Sequence, residues 1–337
     1  MDRRIKKIFL CVSVGLFLTT VTSGVCHSAP ASSPKPIELT FSTFMPMVYN
    51  TAKISREYTK KVETESGGSI RFKWYDSGSL YDARNEFLAL SRGDIDMSHP
   101  YSIATAGGVP LIGIIDIPFV WKGWDDVSDA MPIIKDYLAK GFLEKDAVLL
   151  GVSPTTTNEI TAAKKLIRKP EDLKGAIIRV PGKASQKAVE AMGAGATFMG
   201  SGEIYLALQR GTIDALIAPF NTSVSRKLYE VAKYVTVVDL SFGANSLLIN
   251  KATWGKLSHD QQQILTRLGK WWEKEQIRLA IEDYKKGSAF LEKNGMTIYV
   301  PTETEMSSFR EATKPVLEWW LSEVPEAREV LKKLGRL

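Results

Sequence analysis

Apolar residues alternate along IELTFSTF (37–44) and again along SIRFKWYD (69–76), where Ile70, Phe72 and Trp74 share one face. A period of two marks a strand with one buried side. Between them, TAKISREYTKKVETESGG (51–68) has helical spacing and ends on Gly67-Gly68, a C-cap pattern. DARNEFLALSRG (82–93) predicts a helix stopped by Gly93, and DIDMSH (94–99) a short strand. Strand, helix, strand, helix, strand implies a largely parallel sheet with helices on its faces.

The pattern then restarts. AVLLGVS (147–153) is apolar enough for a buried strand, and KPEDLKG (169–175) reads as a turn and short helix. AIIRV (176–180) is a strand, and KASQKAVEAMGA (183–194) a helix ending at Gly193. GAGAT (193–197) reads as a helix end and turn. SGEIYLALQRG (201–211) is a helix with Ser201 as N-cap and Gly211 as stop, followed by the strand TIDALIAP (212–219). ALSRGDID (89–96) and ALQRGTID (207–214) are thus one phrase in two equivalent places: helix end, glycine stop, strand start. Arg92 and Arg210 fall in the last helical turn, where a cation suits the helix dipole.

The last third is helical. Ser258 and Gln261 form a capping-box pattern ahead of one long helix over 260–295. Ile264, Leu268, Trp271, Ile281, Tyr284 and Leu291 lie toward one side, while Gly269 and Gly287 argue against continuity. MTIYVP (296–301) is a strand and residues 303–324 a further helix. One tryptophan of each pair, Trp271-Trp272 and Trp319-Trp320, is expected in the core. The tail EAREVLKKLGRL is amphipathic and short.

A chain of 337 residues points to two domains. Its beginning reads differently from the rest. MDRRIKK is basic, IFLCVSVGLFLTTV is apolar, and small and polar residues follow, the order of a cleaved secretory leader over 1–31. Both cysteines, Cys11 and Cys26, fall inside it, so the exported chain has no disulfide. Losing Arg3, Arg4, Lys6, Lys7 and Asp2 lowers the formal charge from +6 to about +3. That mild charge gives nucleic-acid binding no support.

Catalytic chemistry is hard to place. The three histidines, His27, His99 and His259, have no metal-ligand spacing. No G-x-S-x-G, G-x-x-x-x-G-K-[ST] or strand-borne G-x-G-x-x-G is present. No cofactor is implied. An exported two-lobe α/β protein of this kind reads as a binding protein, its ligand in the crevice beyond the carboxyl ends of the strands.

Residues 172–219 carry a specific resemblance. Leu173, Lys174, Gly175, Arg179 and Val180 match L-K-G-x-x-[IL]-R-V. Gly193 and Ala194 match a Gly-Ala turn, and Glu203, Tyr205, Ala207, Leu208, Gln209, Gly211 and Asp214 match E-x-Y-x-A-L-Q-x-G-x-[IV]-D. The stretch from Glu65 to Met97 and IPFVW (117–121) agree as well. The chain resembles the TRAP-transporter periplasmic solute-binding proteins of the DctP family.

That resemblance implies two α/β lobes of the type II-like periplasmic-binding-protein fold, hinge strands between them, and a long helix spanning both. It sets lobe I at 37–156 plus 245–284, lobe II at 157–244 plus 285–315, and a carboxy-terminal helical segment at 316–337. It implies a periplasmic carrier that closes on a small organic acid and delivers it to TRAP permease membrane subunits. A monomer is the simple default.

It also assigns residues. Arg179 is the family arginine that grips a ligand carboxylate, a role that suits a planar, permanently charged guanidinium. Where many acid binders carry a second arginine this chain has Glu159, read either as an acceptor for an amine or hydroxyl or as an exposed turn glutamate. Phe44, Tyr101, Gly182, Ser201, Ile217 and Ala218 stand where sialate binders place polar groups, and most of these substitutions make the cleft less polar; Phe44 and Tyr101, just after strands, read either as crevice residues or as ordinary core. His99 faces the ligand or caps its strand. Phe220, Asn221 and Phe242 lie near the hinge as further cleft candidates. The expected ligand is a monocarboxylate with an apolar or aromatic body, carrying an amine if Glu159 faces it. The alternatives are a sensor subunit for a membrane receptor, or a dicarboxylate or sugar-acid binder of the same family.

Overall fold

The chain builds two sheets and crosses between them three times, the last time along a long helix. In the computed structural model residues 35–337 are described, so the predicted leader and both cysteines lie outside the described residues. In chain order the first part is β1 (Ile37–Ser42), α1 (Asn50–Glu65), β2 (Ile70–Tyr75), α2 (Glu86–Arg92), β3 (Met97–Ser98), α3 (Ser102–Thr105), a 3-10 segment (Pro110–Asp116), α4 (Trp124–Leu143) and β4 (Ala147–Thr157). Then come β5 (Glu159–Ala162), β6 (Ile177–Val180), α5 (Lys183–Ala191), β7 (Gly195–Phe198), α6 (Ile204–Arg210), β8 (Ala215–Ala218), α7 (Phe220–Ser225) and β9 (Tyr234–Thr236). The chain closes with β10 (Phe242–Asn250), α8 (Lys251–Gly255), α9 (His259–Lys293), β11 (Thr297–Tyr299), α10 (Glu303–Glu323) and α11 (Ala327–Lys333).

The first sheet has the order β2-β1-β3-β10-β4 and the second β11-β9-β5-β8-β6-β7. Each contains the parallel trio that the sequence pattern predicts: β2, β1 and β3 in one, β8, β6 and β7 in the other. The antiparallel members β10 and β5 lie where the chain changes sheets. The outward crossing is Asn158 alone. The return segment pairs with it, Asn158 N–H donating to the Ser241 carbonyl (3.0 Å) and Leu240 N–H to the Asn158 carbonyl (2.9 Å). Two lobes therefore share a two-stranded hinge.

The helix α9 runs unbroken for 35 residues, about 50 Å at 1.5 Å per residue. Its start is the predicted capping box: Ser258 N–H donates to Gln261 Oε1 (2.9 Å) and Gln261 N–H to Ser258 Oγ (3.3 Å). The two glycines that argued for a break are there for close approach. A Cβ on Gly269 would sit 2.6 Å from the Leu150 carbonyl oxygen, and one on Gly287 2.9 Å from the Phe220 Cβ. The helix packs on β4 and α1 in the first lobe and on α7 and β11 in the second. Its buried strip is Leu265, Leu268, Trp272, Gln276, Ala280 and Leu291; Leu268 and Leu291 are buried as predicted, while Ile264, Trp271, Ile281 and Tyr284 are half-buried. The glycine contacts set this rotation, because the helix must turn residue 269 against β4.

Other differences are local. Gly195–Phe198 is a strand paired with β6, where the glycines read as a turn. The helix after Ser201 begins at Ile204, and Glu203 occupies the N-cap without a side-chain bond. Ser201 Oγ instead accepts from Arg226 (3.1 Å). The paired phrases behave alike: Gly93 and Gly211 end α2 and α6 with φ of +80° and +69°. Arg92 and Arg210 are exposed on the last turns.

Candidate functional site

Arg179 lies on β6 between β7 and β8, with its side chain drawn inward. It is 7% exposed. Its Nε donates to the Met199 carbonyl (3.1 Å) and its Nη1 to the Ile217 carbonyl (3.2 Å). No carboxylate lies within ion-pair distance of it among the described residues. Burial lowers its pKa to about 10, so it stays charged at neutral pH. The result is a desolvated cation held by two neutral carbonyls, with N–H donors left over. Burial of an unpaired charge is costly unless something pairs with it.

Tyr101 comes from the other lobe. Its hydroxyl bonds to Thr156 Oγ1 (2.8 Å) on β4. The ring crosses β10 at Gly243, where a Cβ would fall 1.6 Å from the phenolic oxygen. Burial, then the nearby Asp116 carboxyl, raise the hydroxyl pKa, and the Arg179 charge partly opposes them. Tyr101 therefore sits where the two lobes face each other. Other contacts join the lobes: Tyr49 Oη donates to Ser225 Oγ (3.0 Å), and the Arg84 guanidinium lies 5.8 Å from the Phe198 ring centroid.

The remaining candidates separate into three groups. Phe44 is half-buried just beyond β1, its N–H donating to Glu86 Oε2 (3.4 Å). His99 is fully buried beyond β3. Its Nε2 and Thr43 Oγ1 share a hydrogen bond (2.7 Å), while its Nδ1 has no protein partner. Burial pushes the imidazole down to about 3, so it is neutral. Ile217 and Ala218 end β8 as buried apolar wall, and Gly182 caps α5 with Ile103 packed against it.

Phe220 and Phe242 belong to the packing around the spine rather than to an open cleft. Phe220 meets Tyr284 edge-on (5.0 Å) and fills the space over Gly287. Phe242 is 0% exposed, edge-on to Trp124 (5.1 Å), within the first-lobe core. Asn221 lies beside Phe220 on α7.

Glu159 is not an exposed turn residue. It opens β5 with no exposed surface. Thr157 Oγ1 donates to Oε1 (2.8 Å), and the Val238 and Asp239 N–H groups donate to Oε2 (2.9 and 3.0 Å). Burial, then the adjacent Asp239 carboxyl, raise its pKa well above the usual range. Oε2 ties the return segment to the outgoing strand while Oε1 is held by Thr157 on that strand, so this acid braces the hinge. The local sequence NEITAA gave no hint of that, because the backbone donors of Val238 and Asp239 lie about eighty positions away.

Two buried acids escaped the sequence reading. Glu86 opens α2 at 0% exposure, accepts from Ser98 Oγ (2.5 Å) and the Phe44 N–H, and is pushed up to about 8 by burial. Asp116 ends the 3-10 segment, and burial raises it to about 7. A signal did exist for Asp116: in IIDIPF it is flanked by apolar residues on both sides. Among the described residues, no cluster of three His, Cys, Asp or Glu is placed to hold a metal ion, and no helix is long and apolar enough to cross a membrane.

Comparison with known proteins agrees with the two-lobe fold. The family model for bacterial extracellular solute-binding protein, family 7 (DctP) matches residues 41–323. The 2,3-diketo-L-gulonate-binding periplasmic protein of Escherichia coli is 24% identical over 286 residues, covering 84% of this chain and 87% of the relative. A TRAP periplasmic solute-binding protein of a Sulfitobacter species, solved with bound β-D-galacturonate, superposes with a TM-score of 0.80 at 24% identity, covering 89% of this chain and 99% of that one. A Bordetella pertussis extracytoplasmic solute receptor binding pyroglutamic acid gives 0.82 at 24% identity, with 89% and 99% covered. The chain belongs to bacterial extracellular solute-binding protein family 7, the DctP-type solute-binding proteins of TRAP transporters.

Proposed function

We propose that this protein captures a small organic monocarboxylate between its lobes and delivers it in the periplasm to a TRAP permease, with Arg179 as the carboxylate anchor. The observation that carries this is the buried Arg179 guanidinium with no acidic partner among the described residues. A carboxylate would supply two charge-assisted hydrogen bonds in the matching planar geometry. The leader read over residues 1–31 would export the chain. The relatives named above bind acids, each described by its own ligand.

The walls available to the ligand body favour an apolar or aromatic one. Phe44 and Tyr101 offer partly exposed rings, while Ile217 and Ala218 are buried. Glu159 stands in place of a second arginine, so a second carboxylate would meet an acid rather than a cation. Its hinge bonds occupy both oxygens, and an amine on the ligand would need another acceptor. Division of the body into 37–156 plus 245–284 and 157–244 plus 285–315 fits a carrier that closes about the two-stranded crossing.

A thermal-shift screen of aromatic and branched monocarboxylates, amino acids, sugar acids and C4-dicarboxylates tests the reading. A ligand present at 100 times its Kd stabilises by about 2.7 kcal/mol, a rise of roughly 5 °C for a chain of this size. The corresponding amides should give no shift. Stabilisation by C4-dicarboxylates alone, or equally by acids and their amides, would defeat it.

A further inference from the structure

A crevice of about 430 Å³ opens between the lobes and the carboxy-terminal helices. Ile103 and Asp116 line it from the first lobe, Gly182 and Ser185 from the second, and Trp319 and Val324 from the end of α10 and just beyond. Gly182 follows Arg179 by three residues, at most about 10 Å of chain. Ile103 likewise follows Tyr101 by two residues, so the crevice adjoins the chain on which both Tyr101 and Arg179 lie. At the rim, Lys183 reaches Glu323 (3.8 Å) and lies 5.1 Å from the Trp319 ring centroid.

Asp116 is 9% exposed, and its Oδ1 has no hydrogen-bond partner among the described residues. Ser102 serves the same carboxyl. The other buried acids differ. Glu86 and Glu159 have both oxygens engaged, and Asp239, whose Oδ1 is also without a partner, does not line the crevice. The wall also carries Asn158, Ser185 and Lys183, but these serve Ser241, Gly182 and Glu323, so the unsatisfied Asp116 acceptor still lacks a donor.

We infer that this crevice receives the end of the ligand remote from its carboxylate, and that Asp116 is the specificity-determining acceptor there, selecting acids that carry an N–H or O–H donor on an apolar body. The inference rests on the Arg179 reading above. It also replaces Glu159 with an acid whose oxygen is free.

Matched probes separate the two ideas by calorimetry on the exported chain: pentanoate against 5-aminopentanoate, and 3-phenylpropionate against 3-(4-hydroxyphenyl)propionate. At pH 8.5, above the value of about 7 to which burial raises Asp116, the donor-bearing acid of at least one pair should bind about tenfold tighter or better, as expected for a hydrogen bond to a charged group. Asp116→Leu should bring that ratio to about one without weakening the donor-free acid. Asp116→Asn, which keeps the shape, should reduce it severalfold and serves if the leucine variant does not fold by circular dichroism. Arg179→Ala should weaken every probe. Equal affinities within both pairs for the wild type, no binding of either donor-bearing acid at millimolar concentration, or a ratio that survives at Asp116→Leu overturns the inference. Unchanged affinities in Arg179→Ala with a ratio that still collapses at Asp116→Leu would remove the anchor and keep the acceptor.

Discussion

Replacing Gly243 by alanine adds one methyl group at the point where Tyr101 crosses β10. The new Cβ would lie 1.6 Å from the Tyr101 phenolic oxygen, 2.3 Å from its Cζ and 2.8 Å from Thr156 Oγ1. The first two distances are of covalent scale, so the ring must leave its place. Leaving costs the Tyr101–Thr156 hydrogen bond (2.8 Å), about 1 kcal/mol, and overpacking adds about 1–3 kcal/mol. The expected loss is about 2–4 kcal/mol, a fall in Tm of roughly 4–8 °C by calorimetry. Tyr101→Ala in the same background should add little further loss, because the clash and the hydrogen bond are then both gone, giving strong non-additivity in a double-mutant cycle. A Gly243→Ala protein within 1 °C of wild type, or additive single effects, would refute the placement of Tyr101 against the crossing strands.

Two further perturbations probe the spine and the first-lobe strand ends. Gly269→Ala should gain about 1 kcal/mol from helix propensity, yet its Cβ would meet the Leu150 carbonyl oxygen at 2.6 Å; a net loss of about 1–2 kcal/mol in urea unfolding is expected, and stabilisation would show that α9 does not press on β4. His99 is held down to about 3 by burial, while an unfolded imidazole titrates near 6.5. Its native neutrality therefore contributes stability above pH 6.5 that is lost as pH falls from there toward 3. His99→Gln should narrow the stability gap to wild type by about 1.5–2 kcal/mol between pH 6.5 and 5, and a gap that is constant with pH would contradict the buried neutral ring.

Much of the framework was legible because it is local. Glycine stops, the capping box and period-two alternation each act within a few residues, and Gly93, Gly211, Ser258 and β2 appear as read. The long helix was legible in extent but only in part in rotation, because its glycines answer to Leu150 and Phe220, partners far away in sequence. Nothing local marked the 20-residue α4, which contains Pro132. In the site, Arg179 is recognisable as a charge inside an apolar strand. Phe242 and Phe220 looked available because an aromatic residue near a hinge carries no mark of what covers it; the covers are Trp124 and Tyr284. Glu159 was misplaced for the same reason, its donors coming from residues 238 and 239.

The central claim is that the unpaired guanidinium of Arg179 is completed by a ligand carboxylate. The measurement that tests it most directly is calorimetric titration of wild type and Arg179→Ala with the acid released from the purified protein and identified by mass spectrometry. Removing one partner of a desolvated charge pair costs about 3–5 kcal/mol, so Kd should rise by a few hundred-fold or more while the ligand-free Tm stays at or above wild type. A ligand without a carboxylate, or an affinity unchanged by the substitution in a folded protein, would contradict the account.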